Sequence, residues 1–141
     1  MNRQDAQILV ADDSPSMRVC LSYLLRQLGF QNIDEAPHGA TALAMFRRKA
    51  YDVVITDWYM PHLSGLSLLR AIRRGPKRQS TPVLVLSGTV TNGSLHEAVA
   101  AGATGFVPKP FFNPSLSDQV INLIDALPGR DEEFTVEALA S

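Results

Sequence analysis

Five polar side chains that could carry out chemistry follow four of the short apolar segments of the sequence. Asp12 and Asp13 come after the first segment, Asp57 after the third, Ser87 after the fourth and Lys109 after the fifth. Three carboxylates that are brought together oppose one another's ionisation unless a cation neutralises them. A hard divalent ion with oxygen ligands and a phosphoryl partner fits Mg²⁺ best, and a lysine can hold a phosphoryl oxygen. The set therefore predicts magnesium-dependent phosphoryl chemistry.

The apolar segments are typical of β-strands that are buried on both faces. Helical patterns separate them, so the chain repeats a strand and a helix five times, with predicted strands at 8–11, 33–36, 53–56, 83–86 and 105–108. This alternation predicts an α/β fold with a doubly wound parallel sheet and five helices on its two faces. The carboxyl ends of parallel strands share one edge of the sheet, where ligands bind.

Pro108 indicates the order of the strands. A proline in a strand is confined to a sheet edge or to the first residue of the strand, because it cannot donate a hydrogen bond to the ladder. The fifth strand is therefore predicted to lie at an edge, which agrees with the flavodoxin-like order 2-1-3-4-5.

Capping residues predict where several helices begin. Ser14 followed by Pro15 is a helix cap with proline at the first helical position, and Ser64 is the predicted cap of the third helix. Ser94 with Glu97 fits a capping box and predicts the start of the fourth helix.

The bulk composition excludes several classes of protein. With 13 basic and 14 acidic residues among 141, the chain lacks the excess of positive charge that nucleic-acid binding usually needs. No apolar run reaches membrane-spanning length and no signal segment is present, so we expect a cytoplasmic protein without a membrane partner. The single cysteine, Cys20, cannot form an intramolecular disulfide and is predicted to be a buried or half-buried side chain of the first helix.

Each of the five polar residues also has an ordinary structural interpretation. Asp12 and Asp13 could cap the following helix, Ser87 could belong to a turn, and Lys109 could be a solvated surface lysine. Their joint occurrence at one edge of the sheet favours a functional site over these separate interpretations.

The motifs at these positions resemble the response-regulator receiver domains of two-component signalling. The resemblance covers residues 7 to 127 and is closest to the chemotaxis-type single-domain regulators. It rests on Asp12-Asp13, Asp57-Trp58-Tyr59-Met60-Pro61 with Gly65, Ser87-Gly88, Ala101-Gly102-Ala103, Phe106 and Lys109-Pro110-Phe111. It implies a receiver domain at 1–127. The segment 128–141, which is acidic on balance, is then expected to form a flexible C-terminal tail.

The resemblance also implies a role for each site residue. Asp57 would be the phosphoacceptor, and Mg²⁺ would be bound directly by Asp13, Asp57 and the backbone carbonyl of Tyr59. Asp12 would act largely through water. Lys109 would pair with Asp57 before phosphorylation and with a phosphoryl oxygen afterwards.

Three further features concern the switch. The hydroxyl of Ser87 would turn toward the phosphoryl group, and Phe106 would occupy the aromatic switch position, which is often tyrosine. A cis peptide bond between Lys109 and Pro110 would aim the lysine inward. Two departures from the family are the bulky Tyr59 beside the phosphoryl pocket and the missing hydroxyl at Phe106, which affect the lifetime and the output of the signal.

The function that follows is a stand-alone response regulator rather than an enzyme. A histidine kinase or phosphotransfer protein would donate the phosphoryl group, and a target protein would bind the face formed by the fourth helix, fifth strand and fifth helix. A haloacid-dehalogenase-type phosphatase would need a second aspartate two residues after Asp57, where this chain has Tyr59. A phosphorelay intermediate, a phosphate sink and an unphosphorylated interaction module are the remaining alternatives.

Overall fold

The computed structural model describes residues 1–76, 78–88, 91–109 and 114–128. Within them strands and helices alternate, as predicted: β1 (Gln7–Ala11), α1 (Pro15–Gln27), β2 (Asn32–Ala36), α2 (Gly39–Arg48), β3 (Val53–Asp57), α3 (Gly65–Arg74), β4 (Val83–Ser87), α4 (Asn92–Ala100), β5 (Gly105–Pro108) and α5 (Pro114–Ala126). Pro110 with its implied cis peptide bond, Asn113 at the expected start of the last helix, and residues 129–141 of the expected tail lie outside the described residues.

The five strands form one parallel sheet in the order β2-β1-β3-β4-β5. This confirms both the predicted fold class and the edge position of β5, which contains Pro108. Every residue of the central strands β3 and β4 is buried, because helices cover both faces of the sheet. The parallel arrangement carries the ends of β1, β3, β4 and β5 to the same edge.

Two apolar cores lie on opposite faces of the sheet. Alternate residues of β1 supply them: Ile8 and Val10 face the core that α1 and α5 cover, whereas Leu9 and Ala11 face the core beneath α2, α3 and α4. This alternation follows from the two-residue period of a strand. The sheet is thereby held in a fixed position between the helical layers, and so are the residues at its edge.

The helix starts agree with the sequence except in α4. Ser14 and Ser64 cap α1 and α3, and each side chain accepts a hydrogen bond from the backbone N–H three residues on. The expected capping box of Ser94 with Glu97 is wrong: Thr91 caps α4, and Ser94 is its reciprocal partner, with both hydrogen bonds at 3.0 Å. A threonine three residues upstream meets the same geometric requirement and lengthens the helix by one turn.

Cys20 is exposed, contrary to the expectation of a buried or half-buried side chain. It lies on the outer face of α1 beside the exposed Val19 and Tyr23, because the buried stripe of this helix is formed by Leu21, Leu25 and their neighbours. None of the helices in the described residues is long and apolar enough to cross a membrane.

Arg73 joins the end of α3 to two other parts of the fold. Its guanidinium donates hydrogen bonds to the carbonyl oxygens of Thr81 at 2.6 Å, Gln79 at 2.8 Å and Gly102 at 2.8 and 3.0 Å. A cation in the last turn of a helix also complements the helix dipole. Arg73 therefore fixes the C-terminal end of α4 against the segment that leads into β4.

Candidate functional site

The structure brings the three predicted carboxylates together at the carboxyl edge of the sheet. Asp12 and Asp13 follow the last residue of β1, and Asp57 is the last residue of the neighbouring strand β3. One oxygen atom of each residue lies within 4.8 Å of those of the other two. The close approach is a direct consequence of strand order, because β1 and β3 are adjacent and parallel.

Lys109 reaches this cluster from the end of β5. Its ammonium lies 2.9 Å from Asp12 Oδ2 and 3.2 Å from Asp57 Oδ1, while its backbone N–H donates to the carbonyl of Ser87 at 2.7 Å. Burial alone would lower the pKa of Lys109, but the hydrogen bond to Asp12 and the charge of Asp57 outweigh it and raise this pKa. The lysine is therefore a cation held among carboxylates.

Asp12 is the most enclosed of the three carboxylates and is fully buried. One of its oxygens accepts a hydrogen bond from the backbone N–H of Ser14 at 2.9 Å, and the other is bound by Lys109. Asp13, the next residue, is exposed. The two adjacent aspartates thus differ sharply: Asp12 is engaged by protein groups, and Asp13 faces solvent.

Arg18 supports this edge and was not identified from the sequence. Its guanidinium donates to the backbone carbonyl of Asp12 at 2.7 Å. It also lies 3.5 Å from the carboxylate of Glu35, a residue of the neighbouring strand β2. The only signal in the sequence was a basic residue in the first turns of α1, where the helix dipole does not favour a cation. Arg18 fixes the backbone at the point where β1 ends.

Asp57 is buried apart from a small exposed part of its side chain, 10% of the side-chain surface. Burial raises its pKa above the ordinary value, and the charges of Asp12 and Asp13 act in the same direction, whereas Lys109 opposes them. The surroundings of Asp57 therefore disfavour the charged form of its carboxyl group. A cation that bound beside it would relieve this cost.

The donor set fits a magnesium ion. All three side chains offer carboxylate oxygens, which are the hard ligands that Mg²⁺ prefers, and the exposed side of the cluster leaves space for the waters that Mg²⁺ retains. That open side is a cavity of about 280 Å³, lined by Asp13, Tyr59, Met60, Pro61 and Ser64.

The remaining predicted residues surround the cluster at different depths. Ser87 is fully buried at the end of β4. Tyr59 is 62% exposed, and its ring stands edge-on to that of Trp58, with the centroids 6.5 Å apart. The Phe106 ring is tilted against Trp58, with the centroids 6.1 Å apart, so it belongs to an aromatic group next to Asp57 rather than to the carboxylate cluster.

Gly65 allows α3 to start directly beside Asp57 at the end of β3. Its N–H donates to the carbonyl of Trp58 at 3.0 Å, and a Cβ atom at this position would overlap the carbonyl oxygen of Asp57. The absence of a side chain therefore permits the contact between the helix and the end of β3.

Comparison with known proteins agrees with this geometry. The family model for the response regulator receiver domain matches residues 8–121. The chemotaxis protein CheY of Pseudomonas aeruginosa is 37% identical over 123 residues, which are 87% of this chain and 99% of that protein.

Two solved structures extend the comparison to the fold. The chemotaxis response regulator CheY4 of Vibrio cholerae is 34% identical, with a TM-score of 0.76 over 84% of this chain and 98% of that one. The receiver domain of a sensor histidine kinase from Pseudomonas aeruginosa PAO1, which has a magnesium ion coordinated in its active-site cleft, is 26% identical, with a TM-score of 0.78 over 86% and 98% of the two chains. This chain therefore belongs to the response regulator receiver family, whose members are signalling switches that accept a phosphoryl group on an aspartate in the presence of Mg²⁺.

Proposed function

We propose that this chain is a response regulator in which Asp57 accepts a phosphoryl group from a histidine kinase or phosphotransfer protein. One observation carries the proposal: Asp57 lies in a cluster of three carboxylates with Lys109 3.2 Å from it. In this proposal residues 1–127 form the receiver domain, residues 128–141 form an acidic tail, and the protein works in the cytoplasm.

The transfer is a displacement at phosphorus. An oxygen of the Asp57 carboxylate attacks the phosphorus atom of a phosphohistidine, the phosphorus–nitrogen bond breaks, and the imidazole leaves with its bonding electron pair. The ammonium of Lys109 then exchanges its contact with Asp57 for one with a phosphoryl oxygen. In-line positioning and charge neutralisation are what phosphoryl transfer requires of a protein, and the fixed lysine contributes to both.

Asp13 and Asp57 are the proposed side-chain ligands of Mg²⁺, together with the backbone carbonyl of Tyr59. Asp12 acts through water and holds Lys109. When bound, the ion supplies positive charge that offsets the carboxylates and the incoming phosphoryl group.

Output in this proposal passes through protein contacts. The hydroxyl of Ser87 turns toward the phosphoryl group, and the Phe106 ring follows it. These movements shift the equilibrium between two conformations of the face formed by α4, β5 and α5. The exposed apolar side chains of Leu95 and Val99 on α4 favour a protein target at this face.

Transfer of radiolabel from a phosphorylated kinase, followed by capture of a partner that binds only the phosphorylated form, tests the proposal. A chain that takes no label from phosphodonor proteins or from acetyl phosphate contradicts it.

We expect Asp13→Asn to weaken Mg²⁺ binding by at least about tenfold, because a charged oxygen ligand on the open side of the cluster is replaced by an amide. Isothermal titration with MgCl₂ measures the affinity. The control is Asp118→Asn, which removes an equal charge from an exposed position on α5. Equal losses in the two variants would mean that only net charge matters and that Asp13 is not a ligand.

We expect Lys109→Ala to uncouple phosphorylation from the switch and to destabilise the fold by about 1–3 kcal/mol, because the buried Asp12 loses its cationic partner. Melting curves with and without Mg²⁺ test the stability, and the stability loss should be smaller with the ion bound. Beryllofluoride binding, followed by the Phe106 environment in NMR spectra, tests the coupling. A variant that switches like the parent would remove Lys109 from the mechanism.

We expect Tyr59→Asn to shorten the lifetime of the aspartyl phosphate severalfold. Hydrolysis needs a water in line with the phosphorus–oxygen bond, and an apolar ring at the rim of the Asp13 cavity hinders the placement of that water. Decay of the purified phosphoprotein is followed at fixed Mg²⁺ and pH. Tyr59→Phe keeps the ring and should decay at the parental rate, whereas equal decay in all three proteins would leave the ring without a shielding role.

A further inference from the structure

A second cavity lies far from the carboxylates, between the C-terminal ends of α2 and α3. Its volume is about 230 Å³, and its lining consists mainly of apolar side chains with one arginine: Leu43, Phe46, Ala71, Ile72, Pro76 and Arg47. An apolar cavity of about 150 Å³ is enough to bind benzene. This cavity, which we call the α2–α3 groove, is therefore large enough for one aromatic side chain.

The α2–α3 groove has positive charge beside it. Arg47 lines it, and the guanidinium of Arg78 lies at its end, 3.5 Å from the carbonyl of Phe46 and 3.4 Å from that of Lys49. Arg47 belongs to the last turn of α2, whereas Arg78 lies between α3 and β4. Neither has a carboxylate partner among the ion pairs of the described residues. An acidic segment that carries an aromatic residue would complement this surface.

The chain itself contains such a segment. Residues 129–141 hold four acidic residues and one basic residue, and the three consecutive acids at 131–133 directly precede Phe134. The remaining 128 residues hold 12 basic and 10 acidic side chains, so the two parts of the chain carry opposite net charge. The family match ends at residue 121, and the segment lies beyond it.

The end of α5 lies at the same edge of the sheet as the α2–α3 groove. The Met1 ammonium donates to the carbonyls of Ile124 and Leu127. Gln7, at the start of β1, exchanges hydrogen bonds of 2.7 and 2.8 Å with Asp52, which follows the end of α2. The two regions are thus connected along the amino edge of the strands, although α5 and α2 lie on opposite faces.

The distance can be spanned by the residues that follow α5. Passing from one helical layer to the other means crossing roughly two helix diameters, about 20–24 Å. Phe134 is seven residues after Leu127, and seven extended residues reach about 23–25 Å. Phe134 is therefore the first apolar residue of the segment that can reach the groove.

We propose that residues 129–141 dock on their own receiver domain, with the Phe134 ring in the α2–α3 groove and the acids at 131–133 against Arg47 and Arg78. The contact lies at the opposite edge of the sheet from Asp57, so it leaves the phosphoryl site open. Burial of the ring gives affinity, and charge complementarity fixes the direction of the segment. The proposal does not depend on phosphorylation.

Paramagnetic relaxation in the full-length unphosphorylated chain tests the proposal. A nitroxide is attached to Ala138→Cys in the Cys20→Ser background, which leaves one thiol. The expected result is loss of amide signal intensity at Leu43, Arg47 and Ala71, with little change at Val19 on the opposite face. Uniform broadening, no broadening, or broadening centred on the arginine-rich groove between α3 and α4 would overturn the proposal.

Matched variants separate the two parts of the contact. Phe134→Ala alters no residue of the receiver domain and should restore most of the lost signal. Arg47→Glu should restore part of it, and combining it with Glu133→Arg should bring the broadening back, whereas Glu133→Arg alone should not. If Phe134→Ala leaves the broadening unchanged, the ring is not the anchor and the proposal fails.

A mixed sample distinguishes docking within one chain from docking between two. Isotope-labelled protein without nitroxide is combined with unlabelled protein that carries it. The expected result is no broadening in the mixture at concentrations where protein that carries both the isotope label and the nitroxide shows it. Broadening at the α2–α3 groove in the mixture would mean that the segment binds a second copy, which contradicts the proposed intramolecular contact.

Discussion

Replacing Asp57 by asparagine is expected to abolish phosphorylation completely, because the neutral amide lacks the negative charge that makes the carboxylate a nucleophile and a strong ligand of Mg²⁺. Intact mass after incubation with acetyl phosphate and Mg²⁺ measures the effect. Asp52→Asn is the control, since it changes an aspartate at the opposite edge of the sheet, before β3. A variant at position 57 that gains the mass of one phosphoryl group as fast as the parent would place the acceptor elsewhere.

The same substitution is expected to raise the melting temperature at neutral pH. Burial raises the pKa of Asp57 in the folded protein above the ordinary aspartate value of 3.8, so the fold binds a proton at this site more tightly than the unfolded chain does. Stability associated with this group is thus fully present below pH 3.8 and is lost as the pH rises through the higher folded pKa. The advantage of Asp57→Asn should grow over that interval and vanish in acid. Thermal melts across this range, without Mg²⁺, measure it.

Gly65→Ala is expected to damage both the fold and the chemistry. The added Cβ would overlap the Asp57 carbonyl oxygen and would lie only 3.0 Å from the Asp57 carbonyl carbon and 3.1 Å from Trp58 Cα. These are backbone atoms, so relief requires a shift of α3 away from β3. We expect a loss of about 3 kcal/mol in the free energy of unfolding and a fall in phosphorylation rate on the order of 10²-fold from displacement of Asp57.

Gly93→Ala is the matched control for this prediction. Gly93 is also in the first turn of a helix, but the nearest atom to an added Cβ is Thr91 Oγ1 at 3.8 Å, and alanine favours helix formation. Chemical denaturation gives the stabilities, and acetyl phosphate gives the rates. If both alanine variants behave like the parent, the contact between Gly65 and β3 has no influence on the site.

The strand order could be predicted because it depends on few residues. The alternation of elements fixed a parallel sheet, and Pro108 excluded a central position for β5. Asp12, Asp57 and Lys109 each lie at the end of one of these strands. The predicted strand order is therefore enough to bring their charges together. The family resemblance then named the fold and the function class, which the comparisons confirm.

Other features depend on contacts between segments that are distant in sequence. The pattern does not distinguish Asp12 from Asp13, because which of them is buried depends on how the chain leaves β1 and on Lys109, 97 residues later. Likewise Cys20 occupies an ordinary helical position, and its exposure depends on where α1 meets the sheet. Thr91 and Ser94 are both good caps, so only the backbone geometry decides between them.

The fastening of α4 by Arg73 gives this helix the mechanics of a lever. Only Ala98 is buried among its residues, so little apolar packing holds it along its length, whereas its C-terminal end is tied at Gly102 by two hydrogen bonds from Arg73. We therefore expect α4 to rotate about Gly102 when it moves, with the largest displacement at the end near Thr91. That end follows β4 and Ser87, so in the proposed phosphorylated state a small shift of Ser87 would act on α4 at the point farthest from its attachment at Gly102.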